Sequence, residues 1–413
     1  MQPTELLKQG QLLRRHDRAE SIACFEESIQ RAESVNDEML IANALTELAI
    51  ELIEIGQIPA LGRARALLDR SIYLLDKLDV DNSLSVAHHP DHQSSHQIDI
   101  TTPQKNYVVY AQGLLSLKEG NYRAAISQFE QIYKSYVHDQ EMLATLDRSL
   151  AESYIALGDF KTSLSYLERS ISQVNKGNNY EQLGRIYLQL DQYLRAKDYF
   201  EQSLDIAIET DDKYLRVQAF NGLSQVAIAE EQWENAIMVI KEVLSQLEEP
   251  LDLQQVAYLY LNLAEAKIGI GKIVEAQECV EKYAIPRFKK LQNQHGLAAG
   301  KHTLARVLSC RLGKGMDDMT DETIEAVADE FLEALIMFDS YGTPQEKAKT
   351  LYDLAKLYNL SKKSRSKYQF QGKAVRSLEQ ALTTLEQFKD DSPSLIAKIE
   401  TFLNELMGDF GFL

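Results

Sequence analysis

Two small residues set twelve apart, with large apolar residues around each, recur along this 413-residue chain, and that repetition restricts the fold more than any other feature. The clearest unit runs Tyr180-x2-Leu183-Gly184-x2-Tyr187, then Ala196-x3-Phe200-x2-Ser203-Leu204. Gly184 and Ala196 let two helices approach closely, while Leu183, Tyr187 and Phe200 fill the space between them. The offset returns with Ser224 and Ala236 (beside Leu223 and Ile240) and with Ala264 and Ala276 (beside Leu263 and Val280). Upstream, Leu150-Ala151-x2-Tyr154 with Gly158, Phe160 and Leu167 is a further copy, as is Gly113, Gly120, Tyr122, Ala125 and Phe129. Such a hairpin cannot bury its apolar face alone, so the copies must stack into one continuous core.

The order aromatic-x2-Leu-Gly-x2-Tyr followed by Ala-x3-Phe resembles the tetratricopeptide repeat. The resemblance implies an all-α fold, a right-handed α-solenoid superhelix of helical hairpins. Degenerate copies extend it both ways. Ala49, Leu52 and Gly56 precede Ala64-x3-Leu68-x2-Ser71, and Ser21-x3-Phe25-x2-Ser28-Ile29 reads as a second helix whose first helix is poorly matched. Towards the C-terminus, Leu304-Ala305 pairs with Val327-x3-Phe331-x2-Ala334-Leu335, and Leu354-Ala355-x2-Tyr358 with Ala374-x3-Leu378-x2-Ala381-Leu382. About nine pairs result. The heads at 151, 184, 224, 264 and 305 are spaced 33, 40, 40 and 41, not a steady 34, so several hairpins are longer than the family's.

Residues 1–79 then hold N-terminal pairs, 80–104 a flexible His- and Ser-rich linker, and 105–391 the main array, with insertions near 314–323 and 361–371. Residues 392–413 form a closing helix and tail, opened by Ser392 as N-cap and Pro393 at the first helical position. The linker carries His88, His89, His92 and His96. No cysteine or paired carboxylate completes a zinc set there, so the expectation is metal-free. The first insertion is acidic, with Asp317, Asp318, Asp321 and Glu322, and Thr320 or Asp321 capping the following helix. The second is basic, with Lys362, Lys363, Arg365 and Lys367; both should emerge from one edge, where they neutralise each other or, as the alternative, leave the basic loop to hold an acidic partner.

Composition removes several functions. Against 44 basic residues stand 62 acidic ones, a net −18, which disfavours nucleic acid and anionic membrane as partners. Cys24, Cys279 and Cys310 are odd in number and far apart, so neither a disulfide framework nor a metal-ligand spacing is expected. The N-terminus lacks a signal-peptide pattern and no apolar run reaches membrane-spanning length, so a soluble, cytoplasmic protein is expected. Phosphate loops, zinc-helix motifs, nucleophile elbows and kinase signatures are all missing from the sequence, and neither an enzyme nor a cofactor is expected.

In tetratricopeptide arrays the first helix of each pair lines a concave groove. The family offsets therefore imply groove residues Arg148 and Glu152, then Asn178, Glu181 and Arg185, then Gln218, Asn221 and Gln225. Further along they give Tyr258 with Glu265, His302 with Arg306, and Lys349, Tyr352 and Lys356. Amides, guanidinium groups and tyrosines of this kind suit an extended peptide. The leading functional expectation is a non-enzymatic scaffold or adaptor holding a partner's peptide or helix. The alternative is a regulator similar to bacterial pheromone-sensing tetratricopeptide proteins, whose curvature changes when peptide binds. Such regulators usually carry an N-terminal effector domain, whereas repeats here begin near residue 3.

Overall fold

In the computed structural model the alanines that head the repeats, Ala151, Ala264, Ala305 and Ala355, are fully enclosed, as are Ala196, Ala236, Ala276 and Ala374 on the partner helices. The structure describes residues 1–14, 18–56, 58–87, 101–170, 176–246, 253–363 and 366–409, and every regular element among them is helical. The fold is all-α, a solenoid of tetratricopeptide-like hairpins. Its residues divide into two units, Met1–Ser153 and Tyr154–Leu413.

The first unit contains α1 (Pro3–Leu13), α2 (Arg18–Ser34), α3 (Glu38–Ile55), α4 (Ile58–Ala87), α5 (Thr102–Lys118), α6 (Tyr122–Tyr133) and the start of α7 (Gln140–Leu157). Helix α4 runs on to Ala87, past the point where apolar periodicity ends in the sequence; residues 88–100, with all four linker histidines, lie outside the described residues. Helix α1 supplies the first helix that the sequence matched poorly. Its small head is Gly10, where a Cβ would come within 2.5 Å of the Phe25 ring.

The second unit contains α8 (Phe160–Ser170), α9 (Lys176–Gln189), α10 (Tyr193–Glu209), α11 (Lys213–Ala229), α12 (Trp233–Gln246) and α13 (Leu253–Gly269). It continues through α14 (Ile273–Glu278), α15 (Ile285–Leu291), α16 (Gln294–Gly313), α17 (Asp321–Tyr341), α18 (Pro344–Asn359), α19 (Lys367–Leu385) and α20 (Pro393–Asp409). Between α14 and α15 a π-helical turn at Cys279–Ala284 precedes Pro286. Proline has no N–H to give and its ring collides with the carbonyl four residues back, so a widened turn lets the helix continue past it.

One device ties second helices to first. The Ser28 hydroxyl donates to the Pro3 carbonyl at 2.8 Å, Ser71 to Ala42 at 2.9 Å, and Ser203 to Gly177 at 2.9 Å. Each serine lies three residues after Phe25, Leu68 or Phe200, and each acceptor seven before Gly10, Ala49 or Gly184. The serine of the repeat pattern is thus a buried polar group satisfied by the neighbouring backbone.

Phe200 also joins successive hairpins. A Cβ on Gly184 of α9 would fall 2.7 Å from its ring, and one on Gly222 of α11 only 2.2 Å away. The second unit curls back on itself as well: the Gln345 side chain donates to the Gly158 carbonyl at 3.1 Å, across 187 residues. Gly158 has φ +81, and a Cβ there would meet the Gln345 Oε1 atom at 2.4 Å, so the turn after α7 needs glycine on both counts.

Helix α20 begins at Pro393 as expected, but the Ser392 hydroxyl is buried and makes no hydrogen bond among the described residues, so it does not cap the helix. Thr320 does cap α17, accepting from the Thr323 amide at 3.2 Å, with Asp321 and Glu322 in the first turn.

Candidate functional site

The first helices α11, α13, α16 and α18 carry a continuous row of hydrogen-bonded polar side chains. On α11, the Asn221 amide donates to the Gln255 carbonyl at 3.1 Å and to its Oε1 atom at 3.0 Å. From α13, Asn262 donates to the Ser224 hydroxyl at 2.9 Å and reaches Asn221 Oδ1 at 3.3 Å. The amide of Asn221, a groove position from the sequence, is therefore spent in tying α11 to α13.

Two charged clusters follow. The Tyr258 hydroxyl lies 2.9 Å from His295 Nδ1, and His295 Nε2 lies 2.9 Å from Glu346 Oε1. Glu346 also accepts from the Thr343 amide at 2.8 Å, closing the capping box of α18. Burial opposes a charged imidazole, but Glu346 and Tyr258 outweigh it and raise the His295 pKa well above its ordinary value. Burial likewise opposes the Glu346 carboxylate, yet His295 and the Thr343 backbone hold its pKa down at about 2.

In the second cluster His302 Nε2 lies 3.0 Å from Asp353 Oδ2, which also meets Arg306 Nε at 3.3 Å. Arg306 bridges on to Glu265, and Lys356 stands 3.5 Å from the other oxygen of Asp353. Burial works against both charges, but Arg306 and His302 depress the Asp353 pKa far below the carboxylate range. The Arg306 pKa is raised despite burial, by Glu265 and Asp353.

The expected groove residues thus divide. Tyr258, Glu265, His302, Arg306 and Lys356 are gathered into these clusters, and Asn221 into the amide row. Glu181, nearly buried, has Arg185 of the next turn at 4.0 Å. Asn178, Gln218 and Gln225 are half-buried, and Lys349 is exposed. Tyr352 lines a groove with α20, its ring meeting Phe402 edge-on at 5.9 Å. Arg148 and Glu152, both half-buried, belong to the first unit, where Arg148 acts electrostatically on the buried Tyr110 hydroxyl.

Sequence spacing missed Gln255, Asn262, His295, Glu346 and Asp353. A signal exists in retrospect. Asn262 and Asp353 both lie two before a small head, and they meet Asn221 and His302, each three before the head of the preceding pair. The first unit has its own missed cluster. Glu51, fully buried, is bridged by Arg14, while Glu47 accepts from Gln11 at 2.6 Å and Tyr107 at 3.3 Å.

The charged insertions meet in part. Asp317 is held by Arg311 of its own hairpin through two contacts of 2.7 Å. Across the insertions, Ser366 donates to Asp321 at 2.6 Å, and just beyond them Lys373 of α19 bridges to Glu325 of α17. The side chains of Lys362, Lys363 and Arg365 lie outside the described residues.

These hairpins, with polar rows along their first helices, define the class: an α-solenoid of stacked helix pairs. A tetratricopeptide repeat family model matches residues 141–209 and 175–249. The chain is a tetratricopeptide-like repeat protein. No curated protein matches it. Among solved structures, the apo form of the quorum sensor NprR from B. thuringiensis is 16% identical at TM-score 0.56, covering 91% of this chain and 98% of that one. Aspartyl phosphate phosphatase F from Bacillus subtilis is 16% identical at TM-score 0.54, covering 94% and 95%. The Rap conjugation gene regulator of plasmid pLS20, in complex with the Phr peptide, is 14% identical at TM-score 0.54, covering 83% and 97%. At these identities the likeness is one of fold. Among the described residues no helix is long and apolar enough to cross a membrane.

Proposed function

We propose that this chain is a protein-interaction module that holds an extended peptide or a helix of a partner along the inner face of its second unit, with no catalytic step of its own. The observation that carries the reading is the set of half-exposed Gln218, Gln225 and Tyr352 and exposed Lys349 and Lys356 on α11 and α18, standing beside the internally bonded polar row. Peptide main chain needs donors and acceptors at short intervals, and amides offer both. A fold similar to a regulator solved with a peptide, and to a quorum sensor, supports the same reading. A reducing compartment such as the cytoplasm suits its three free cysteines, Cys24, Cys279 and Cys310.

The test is a photo-crosslinking amino acid at Gln225, compared with one at Met238 on the second helix of the same pair, in the native host. Adducts from position 225 and none from 238 are expected; the reverse pattern moves the site off the first helices.

The second reading, a peptide-gated regulator, is favoured by the Gln345–Gly158 contact that closes the second unit. A ligand that rearranges the clusters on α16 and α18 would also move Gln345, which sits one residue before Glu346. Hydrogen exchange at residues 158–161 that changes on ligand binding would support it.

A further inference from the structure

We infer that the groove between α18 and α20 binds an acidic segment of the partner peptide, one that pairs carboxylates with an apolar or aromatic side chain. This assignment rests on the peptide-groove reading and gives it an end and a charge.

The groove has a volume of about 600 Å³, within the ordinary range for a ligand site. Its floor is aromatic: Tyr352 from α18 and Phe402 from α20 meet edge-on at 85°. Lys356 places its ammonium 4.2 Å from the Tyr352 ring centroid, and exposed Lys398 lines the groove from α20. Glu405 is the one acidic residue in the lining, so two lysines against one glutamate leave it at +1. The chain as a whole is −18, so the local sign runs against the overall composition.

The nearest acid, Asp353 at 3.5 Å from Lys356, is buried, lies outside the lining and is also met by His302 and Arg306, whereas Lys356 is exposed. Lys349, two helical turns before Lys356, extends the same basic stripe along α18 and is exposed. Lysine stems lying over aromatic rings are common on ordinary surfaces. Here Lys356 from α18 and Lys398 from α20 both line an open groove. A peptide carboxylate would be drawn to the ammonium groups while an adjacent apolar side chain covers Tyr352 and Phe402. Electrostatic complementarity of this kind selects the partner and speeds its approach.

The test is selection of a random-sequence peptide library displayed on phage, against the full-length protein and against Lys356→Gln/Lys398→Glu. Both lysines are exposed, and an unchanged melting temperature would show the variant folded. Peptides selected by the wild type should be enriched in Asp and Glu near an apolar residue. Their affinity should fall about tenfold in the variant, as expected for losing two exposed ion pairs and gaining repulsion. It should also weaken with added salt. Neutral or basic peptides selected by the wild type, or acidic ones that the variant binds equally well, would overturn this assignment while leaving the peptide-groove reading in place. No selected peptide at all would overturn both.

Discussion

His302 on α16 and Asp353 on α18 face each other at 3.0 Å, 51 residues apart, and Arg306 joins the same carboxylate one helical turn along. This couple ties two successive hairpins where the apolar seam between them gives way to polar side chains. It matters because Asp353 is buried and, among the described residues, is held by Arg306, Lys356 and His302. Removing one member leaves charge without compensation.

Asp353→Asn should therefore destabilise the second unit by roughly 3 kcal/mol, the usual cost of breaking a buried pair. Urea unfolding measures it. A loss below about 1 kcal/mol would mean that water already reaches the cluster.

The His295–Glu346 pair predicts the pH dependence. Glu346 has its pKa lowered to about 2, so its contribution is present above the ordinary value near 4.5 and is lost as pH falls towards 2. His295 has its pKa raised, so its contribution is complete below the ordinary value of 6.5 and is lost as pH rises through the folded value. Melting temperature plotted against pH should fall on both sides. Glu346→Gln should flatten both limbs, and a profile with unchanged slopes would assign the pH dependence to other groups.

Gly222→Ala should destabilise in spite of better helix propensity. The substitution gains up to about 1 kcal/mol from propensity. Against that, its Cβ would fall 2.2 Å from Phe200, and overpacking costs about 1–3 kcal/mol. A net loss near 1 kcal/mol is expected, reversed in the double variant with Phe200→Leu. A bulky residue at fully buried Ala236 or Ala276 should cost about 1–3 kcal/mol for the same reason.

In the first unit, Arg14→Met should cost about 3 kcal/mol, because Glu51 is fully buried and Arg18, at 3.4 Å, is a weaker substitute. Arg14→Met combined with Glu51→Gln should recover part of the loss. Recovery distinguishes stranded charge from lost packing, and guanidinium unfolding of both variants reads it.

The hairpins were legible because packing imposes a local period. Leu183, Gly184 and Phe200 lie within one unit, and only small residues at fixed offsets let two helices touch. Gly10 escaped notice because its helix lacks the leucine and tyrosine that flank Gly184, although it meets Phe25 in the same way. The offsets also placed Tyr258, His302 and Arg306 on the polar row, but they could not say that these side chains would be occupied by one another.

What the sequence by itself determined is the hairpin: which residues are small, which fill the seam, and hence an all-α stack. That follows because a helix pair is a short-range object, settled by residues about 30 apart or fewer. The partners of Asn221, His295, His302 and Arg306 were decided only by the tertiary structure. They come from the next hairpins, 34 to 51 residues away, and their meeting depends on how far each pair rotates and slides upon its neighbour. Apolar spacing is indifferent to that rotation within a few degrees, whereas a hydrogen bond of 3 Å is not.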